Sequence, residues 1–262
     1  MLNRDARWRS SLRNWFRKNK TAQSFLMMLK SKAFYKEIYN LPKLYQLIRI
    51  FPYTLVAYPG LSGLYDLSKK LNQDHIEGAF VECGVWRGGC AIILSTWAQK
   101  QKRAVHLFDS FEGLPEPLPI DGKRALKISK GKESGTLASI GHIVVSIEEV
   151  EDTLFKRFAF DRNQVHLHKG WFQDTLPQVS PTIGKIALLR LDGDWYESTK
   201  VCLEYLYDQV VEGGYVVIDD YQEFDGCRLA TDEFLQKQGI KPELHHFDWF
   251  GGTYFQKRTP TH

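Results

Sequence analysis

The chain has 262 residues, of which 43% are hydrophobic and 25% are charged, and its net charge is +4. These values are typical of a soluble globular protein, and no apolar run approaches the roughly 20 residues of a membrane span. Residues 1–36 hold ten Lys and Arg and one Asp, so the rest of the chain is mildly acidic. The basic isoelectric point therefore does not indicate nucleic-acid binding, and we expect none.

The four cysteines, Cys83, Cys90, Cys202 and Cys227, match neither the spacing of a zinc site nor that of a disulfide framework. The start of the chain lacks the apolar segment of a secretory signal. We interpret the cysteines as buried thiols in a reducing compartment and expect a cytoplasmic protein.

Residues 1–50 are predicted to form a basic helical arm, followed by one large domain over residues 51–262. Apolar side chains between Trp8 and Leu29 recur at helical spacing, with Arg and Lys between them. The favoured interpretation is an arm that packs on the domain or on a second subunit of a homo-oligomer. Contact with an anionic membrane and a targeting presequence are the alternatives.

Strands and helices alternate through the domain. The predicted strands are 79–85, 104–109, 164–168, 185–191 and 215–218, with a final pair at 244–249 and 253–257. Helices are predicted at 64–71, 90–100, 146–158 and 227–237, and another follows residue 194 with Leu203 and Leu206 on one face. This alternation predicts an α/β fold with a doubly wound, mainly parallel, seven-stranded sheet and an antiparallel edge.

Two connections carry further predictions. Residues 110–142 are rich in Gly, Pro, Ser and Lys, and so long a loop is either a lid or disordered. Ser146 is the expected N-cap of the next helix, with Glu149 in the capping-box position.

A ligand site is predicted where the first two strands end. Glu82, Cys83 and Gly84 end the first strand, and Gly84, Gly88 and Gly89 allow a ligand to approach the backbone. Asp109 ends the second strand and can accept hydrogen bonds from ribose hydroxyls. The glycines match neither a dinucleotide fingerprint nor a phosphate loop, which favours an adenosyl ligand without phosphates. The alternative is an ordinary turn between a strand and a helix.

A carboxylate cluster is predicted at the ends of the fourth and fifth strands. Asp192 and Asp194 follow one strand, and Asp219 and Asp220 follow the next. Four carboxylates repel one another unless a cation lies among them, and an all-oxygen site suits Mg²⁺. The alternative is a pair of solvated helix N-caps.

Six short motifs, in order along residues 78–238, resemble those of the macrocin-type sugar O-methyltransferases. They are residues 81–89, 109–115, 146–150, 170–177, 191–199 and 219–221. That family methylates sugar hydroxyls of antibiotics with S-adenosylmethionine and Mg²⁺. The resemblance implies a class I Rossmann-like methyltransferase that acts on a saccharide or glycosylated acceptor.

The resemblance also implies roles for particular residues. Asp194 is expected to be the general base, and the ligands of Mg²⁺ or another divalent cation are expected to be Asp192, Asp219 and Asp220. The expected cofactor contacts are Glu82, Cys83, Gly84, Val85, Asp109, Ser110, Gly170, Trp171, Phe172 and Asp192.

The chain departs from the family pattern at Cys83, at Trp195 and over the first 50 residues. Because Trp195 adjoins the expected base, this departure concerns the acceptor more than the chemistry. Two other functions stay open: a Mg²⁺-dependent phosphotransfer or phosphohydrolase domain, and a protein that binds a nucleoside or carbohydrate without catalysis.

Overall fold

The computed structural model describes residues 34–35, 39–248 and 251–258. Residues 1–33, which include most of the predicted basic arm, lie outside the described residues, so the helical pattern from Trp8 to Leu29 stays a prediction. The division at residue 50 also stays a prediction.

Strands and helices alternate as the sequence predicts, and two further helices, at residues 122–128 and 172–183, were not predicted. The strands are β1 (Ala79–Cys83), β2 (Val105–Asp109), β3 (Val165–Lys169), β4 (Ile186–Leu191), β5 (Val210–Ile218), β6 (His245–His246) and β7 (Thr253–Gln256). The helices are α1 (Leu41–Ile50), α2 (Tyr58–Gln73), α3 (Gly89–Gln99), α4 (Gly122–Ile128), α5 (Ile147–Glu151), α6 (Phe172–Ile183), α7 (Tyr196–Leu206) and α8 (Asp225–Lys237).

The described strands form one seven-stranded sheet in the order β3-β2-β1-β4-β5-β7-β6. Strands β1 to β5 pair in parallel, whereas β7 pairs antiparallel with β5 and with β6. The chain order reverses between β1 and β4, and ligands of such sheets bind at this reversal, beyond the carboxyl ends of the strands.

Both faces of the sheet are covered, which explains why β1 and β4 are buried along their whole length. Successive residues of a strand point to opposite faces. Phe80 lies in one core with apolar side chains of α2 and α3, and Val81 lies in a second core with those of α7 and α8. No described helix is long and apolar enough to cross a membrane.

Helix α1 falls within the predicted arm and packs on the domain. Its Leu47 and Ile50 are buried in the same core as α2. Its Lys43 ammonium is also buried and pairs with Asp66 of α2 at 2.7 Å.

The structure corrects the start of the fifth strand, which the sequence placed after Gly213 and Gly214. Strand β5 begins at Val210 and includes both glycines. The first half of the strand is partly exposed and carries Glu212, so it lacks the apolar run by which the second half was recognised.

The segment after β2 is an ordered lid, here defined as residues 110–142. It contains α4, of which only Ala125 is buried, so the segment lacks the apolar stripe that predicts a helix. The predicted N-cap is confirmed, because the Ser146 hydroxyl accepts the Glu149 N–H at 3.3 Å. The Glu149 carboxylate pairs with Arg87 at 3.0 Å.

Candidate functional site

The turn after β1 brings the ends of β1 and β4 into backbone contact. Gly84 has a φ of 91°, and an added Cβ would lie 1.9 Å from the carbonyl oxygen of Asp192. The Asp192 N–H donates to the Cys83 carbonyl at 2.8 Å. Because only glycine combines this conformation with so close an approach, Gly84 is required by the geometry of the turn.

The carboxylate of Asp109, at the end of β2, organises the same turn. Its Oδ2 accepts the N–H groups of Val85 at 2.7 Å and Trp86 at 3.1 Å, and its Oδ1 accepts that of Phe111 at 2.7 Å. Burial raises the pKa of Asp109, and these backbone hydrogen bonds oppose the rise. A carboxylate offers about four acceptor sites, so one remains for a ligand in the adjoining cavity.

A fully buried arginine lies beneath the ends of β1, β4 and β5. The Arg190 guanidinium donates to Glu82 at 2.9 Å and to Asp219 at 2.7 Å, and it pairs with Asp192 at 2.9 Å. It therefore connects Glu82, an expected cofactor contact, with two acids of the predicted carboxylate cluster.

Glu82 is 1% exposed, and its Oε2 has no hydrogen-bond partner among the described residues. Burial raises the pKa of Glu82 to about 8, although Arg190 opposes the rise. A buried acceptor without a partner is costly, so this oxygen is suited to a donor supplied by a ligand.

Three carboxylates converge at the ends of β4 and β5. Oxygens of Asp192, Asp194 and Asp220 lie within 4.8 Å of one another, and we call these residues the acid cluster. Asp219 immediately precedes Asp220 in the sequence, but one of its oxygens accepts a hydrogen bond from Arg190. The sequence predicted a cluster of carboxylates at the ends of these two strands, and in the structure Asp194 lies among them.

Burial and the repulsion between like charges both raise the pKa values of three aspartates at the ends of β4 and β5. They raise the pKa of Asp194 and of Asp220 well above the usual range of an aspartate, with burial as the larger cause. Burial also raises the pKa of Asp219 to about 7, against the opposing effect of Arg190. The acid cluster therefore has the electrostatic character of a cation site.

Asp194 occupies a left-handed backbone conformation, with a φ of 58°. Its N–H donates to the Asp220 carboxylate at 3.0 Å, and the next N–H, of Trp195, donates to the Gly193 carbonyl at 2.6 Å. Such conformations cost about 1 to 3 kcal/mol and persist only where surrounding contacts enforce them.

Two cavities meet at these residues. The first is bordered by the turn after β1, the start of α6 and the lid residues Ser110 to Pro115. The second is bordered by residues 53–56, α4, His142 and Glu223. Both cavities are lined by Gly84, Asp192 and Asp194, so a group bound in one can reach a group bound in the other at the acid cluster.

The indole of Trp195, which departs from the family pattern, is 2% exposed. Its Nε1 donates to the Pro115 carbonyl at 3.0 Å, and its ring packs edge-to-face against Phe224 at 5.0 Å. Trp195 therefore joins the loop after β4 to the lid.

Most of the predicted site residues line one of the two cavities. The first cavity is lined by Gly84, Asp109, Ser110, Trp171, Phe172, Asp192 and Asp194, and the second by Glu82, Gly84, Val85, Asp192, Asp194, Asp219 and Asp220. The Cys83 side chain lies in the core. Gly170 lines neither of these cavities, and its N–H donates to the Asp109 carbonyl at 3.0 Å.

Sequence reasoning missed Arg190 and the walls of the second cavity. A single arginine inside the apolar run of β4 was a signal, because a charge in a buried strand requires a buried partner. Residues 53–56 and Arg124 carry no comparable signal: Tyr53 and Thr54 line the cavity by packing against Gly89 at the start of α3, and Arg124 lines it from the lid helix α4.

The sheet order and the ligand site at its reversal define a class I Rossmann-like methyltransferase. A solved structure described as that of the O-methyltransferase NovP has 33% sequence identity and a TM-score of 0.67, covering 79% of this chain and 83% of that one. The calicheamicin methyltransferase CalS11, at 20% identity and a TM-score of 0.62, shares the fold. The predicted fold class is confirmed.

The sequence comparisons identify the family. The profile described as "Macrocin-O-methyltransferase (TylF)" matches residues 45–257, so the chain belongs to this family and is an S-adenosylmethionine-dependent O-methyltransferase. An 8-demethyl-8-(2,3-dimethoxy-alpha-L-rhamnosyl)-tetracenomycin-C 4'-O-methyltransferase of Streptomyces olivaceus is 36% identical over 202 residues, 76% of this chain and 74% of the relative. A demethyldecarbamoylnovobiocin O-methyltransferase of Streptomyces niveus is 35% identical over 209 residues, 78% and 76%.

Proposed function

We propose that this enzyme transfers the methyl group of S-adenosylmethionine to a hydroxyl of a sugar in a glycosylated acceptor. The observation that supports the proposal is the meeting of the two cavities at the acid cluster: one cavity suits a nucleoside, the other suits an acceptor, and Asp194 lines both. The family relationship supports the sugar acceptor, since the relatives from the two Streptomyces species act on glycosylated natural products.

The residues around the first cavity fit the cofactor, which supplies an electrophilic methyl group on a sulfonium. The remaining acceptor site of Asp109 suits a ribose hydroxyl, and the half-buried rings of Trp171 and Phe172 suit an adenine face. The unpartnered Oε2 of Glu82, which lines the second cavity, suits a cationic amino group that reaches it past Gly84, where the two cavities meet. In this proposal Ser110 and Gly84 border the same ligand.

The residues at the ends of β4 and β5 fit a hard divalent cation, because they offer carboxylate oxygens only. Asp192, Asp219 and Asp220 would hold Mg²⁺, which would stabilise negative charge developing on the acceptor oxygen. Within the described residues no ion pair to Asp194 or Asp220 compensates their charge, which supports this fit.

We assign Asp194 as the general base. It borders both cavities, and its turn presents it beside Asp192 and Asp220. A sugar hydroxyl is a poor nucleophile until it loses its proton, and Asp194 would accept that proton as the oxygen attacks the methyl group. The two cavities would hold the reactants in line, and no covalent enzyme intermediate is needed.

The geometry also allows a different division of roles, because Asp194 lies with Asp192 and Asp220 while Asp219 pairs with Arg190. In that division Asp194 is a metal ligand. Mn²⁺ titration followed by electron paramagnetic resonance separates the two assignments. Asp219→Asn weakens Mn²⁺ binding if the first holds, and Asp194→Asn weakens it by a similar factor if the second holds.

The central test is calorimetric titration with S-adenosylmethionine in Mg²⁺ and in EDTA, followed by mass spectrometry of acceptors after incubation. Demethyldecarbamoylnovobiocin and mycinamicin III, the acceptors of relatives, are suitable probes, with free rhamnose as the control. Cofactor binding and the gain of one methyl group by a glycosylated probe are expected. Cofactor binding without transfer to any glycosylated probe contradicts the proposed acceptor class, and absence of cofactor binding contradicts the proposal as a whole.

A further inference from the structure

Asp121 is a buried carboxylate of the lid that has no part in the chemistry proposed above. It is 2% exposed and lies immediately before α4. Its Oδ1 accepts the N–H of Tyr196 at 2.6 Å, and its Oδ2 accepts the N–H of Leu118 at 2.7 Å. One side chain therefore closes a turn of the lid and also binds the first residue of α7.

Tyr196 lies two residues after Asp194 and is the first residue of α7. The N–H groups of a first helical turn have no partner within the helix, so Asp121 satisfies a donor that would otherwise be unpaired. Asp194 is held in its left-handed conformation from the other side by Asp220. The turn that carries Asp194 is thus fixed at both ends by carboxylates from distant parts of the chain.

The start of α8 is shaped around the same carboxylate. A Cβ added at Gly226 would lie 2.0 Å from Oδ1 of Asp121. Gly226 lies within a helix and has no positive φ, so its backbone conformation does not require glycine. The close approach of Asp121 is the structural reason for glycine at this position.

The lid that carries Asp121 also borders the cofactor cavity, through Ser110, Gly113 and Leu114. A second bond, from the Trp195 indole to Pro115, ties the same lid to the residue after Asp194. The lid thus contacts both the proposed cofactor cavity and the backbone on the carboxyl side of Asp194.

From these contacts we infer that Asp121 is a positioning residue, which holds the turn of Asp194 in its reactive geometry through the N-terminus of α7. This inference rests on the proposed role of Asp194 as base. Removing the contact loosens residues 193–197 and slows methyl transfer, while the proposed cofactor contacts at the ends of β1 and β2 and at the start of α6 keep their positions.

Asp121→Asn is the first variant, because its carboxamide has one acceptor oxygen and can serve Leu118 or Tyr196 but not both. Gly226→Ala is the second, since alanine suits a helix and yet pushes the Asp121 carboxylate away. Asp225→Asn is the matched control, because Asp225 is an exposed acid at the same contact between the lid and α8 and forms its ion pair with Arg228 of its own helix.

Hydrogen–deuterium exchange of the peptide covering residues 192–199 needs no acceptor and is measured first. We expect exchange at Tyr196 to accelerate about tenfold in Asp121→Asn and Gly226→Ala and to stay unchanged in Asp225→Asn. In the transfer assay kcat should fall about 10- to 100-fold in the first two variants, since small displacements of a reacting group have effects of this size. The Kd for S-adenosylmethionine should stay within twofold.

Unchanged exchange and kcat in both variants would overturn the inference, and so would a loss of cofactor binding or of folding in parallel with kcat. If the unmodified enzyme methylates none of the probes, the proposed function fails at that point. The exchange comparison then still decides whether Asp121 holds the turn.

Discussion

The two halves of the site are built in different ways. At the ends of β1 and β2, short sequence motifs and backbone hydrogen bonds create the cofactor cavity, as in the three N–H groups that Asp109 accepts. At the ends of β4 and β5, side chains from distant segments converge, and Arg190 reaches Glu82 across 108 residues of sequence.

This difference determines which substitutions each half of the site tolerates. The cofactor half depends on backbone conformation, so it is sensitive to the replacement of a glycine. The acid half depends on buried charge, so it is sensitive to the loss of one partner in a network. Substitutions of each kind therefore test whether the two halves are separable.

The largest effect is expected for Asp194→Asn in the acid half. A positioned general base contributes about 10²- to 10⁴-fold to rate, so kcat should fall by that factor while cofactor affinity changes little. Steady-state kinetics and calorimetric titration measure the two quantities. Glu197→Gln, an exposed acid three residues later, is the control and should retain full activity. An active Asp194→Asn enzyme would remove this residue as the base.

The next largest effect is expected for Arg190→Met. The substitution leaves the buried Glu82 and the partly buried Asp192 and Asp219 without their common partner, and breaking a buried pair costs about 3 to 5 kcal/mol of unfolding free energy. Urea denaturation measures this loss.

The control is Arg124→Met, which breaks a more exposed ion pair with Glu223 and should cost less than about 1 kcal/mol. Equal losses of unfolding free energy in the two variants would mean that the ion pairs of Arg190 stabilise the protein no more than an ordinary surface ion pair does.

Gly84→Ala tests the cofactor half. The substitution forces a positive φ on alanine and drives its Cβ into the Asp192 carbonyl, so we expect a loss of about 2 to 4 kcal/mol. Cofactor affinity should fall as well. Gly239→Ala has a φ of 66° with open space around the added Cβ, so it isolates the backbone strain and should cost about 1 kcal/mol. Similar losses of unfolding free energy in the two variants would exclude the contact between the added Cβ and the Asp192 carbonyl as the cause.

The same difference explains which parts of the molecule were predictable from sequence. The buried strands, the Ser146 cap and the motif around Gly84 depend on neighbouring residues, so their patterns are local. The helix α4, the contact of Asp121 with Tyr196 and the role of Arg190 depend on residues that meet only in the folded chain. The early start of β5 was missed because its exposed half resembles a turn.

The smallest effect is expected from the edge of the sheet next to the cofactor half, where His106 of β2 and His168 of β3 lie with ring nitrogens 3.1 Å apart. Burial, with a smaller contribution from the neighbouring histidines including His166, lowers the pKa of each ring to about 4. Between pH 6.5 and 4 the unfolded chain binds protons at these rings and the folded chain does not, so stability falls as the pH falls through this range.

Because both rings are only half-buried, we expect a loss of about 1 to 2 kcal/mol for the pair. Urea denaturation at pH 7, 6 and 5 measures it, and His168→Leu should flatten this dependence, whereas the exposed His245→Leu should not. We expect the pH dependence to appear in the unfolding free energy before it appears in activity, because the two rings lie on β2 and β3 and line neither cavity. If the unfolding free energy of His168→Leu falls with pH as steeply as that of the unmodified enzyme, the acid sensitivity arises elsewhere in the chain and not at this edge of the sheet.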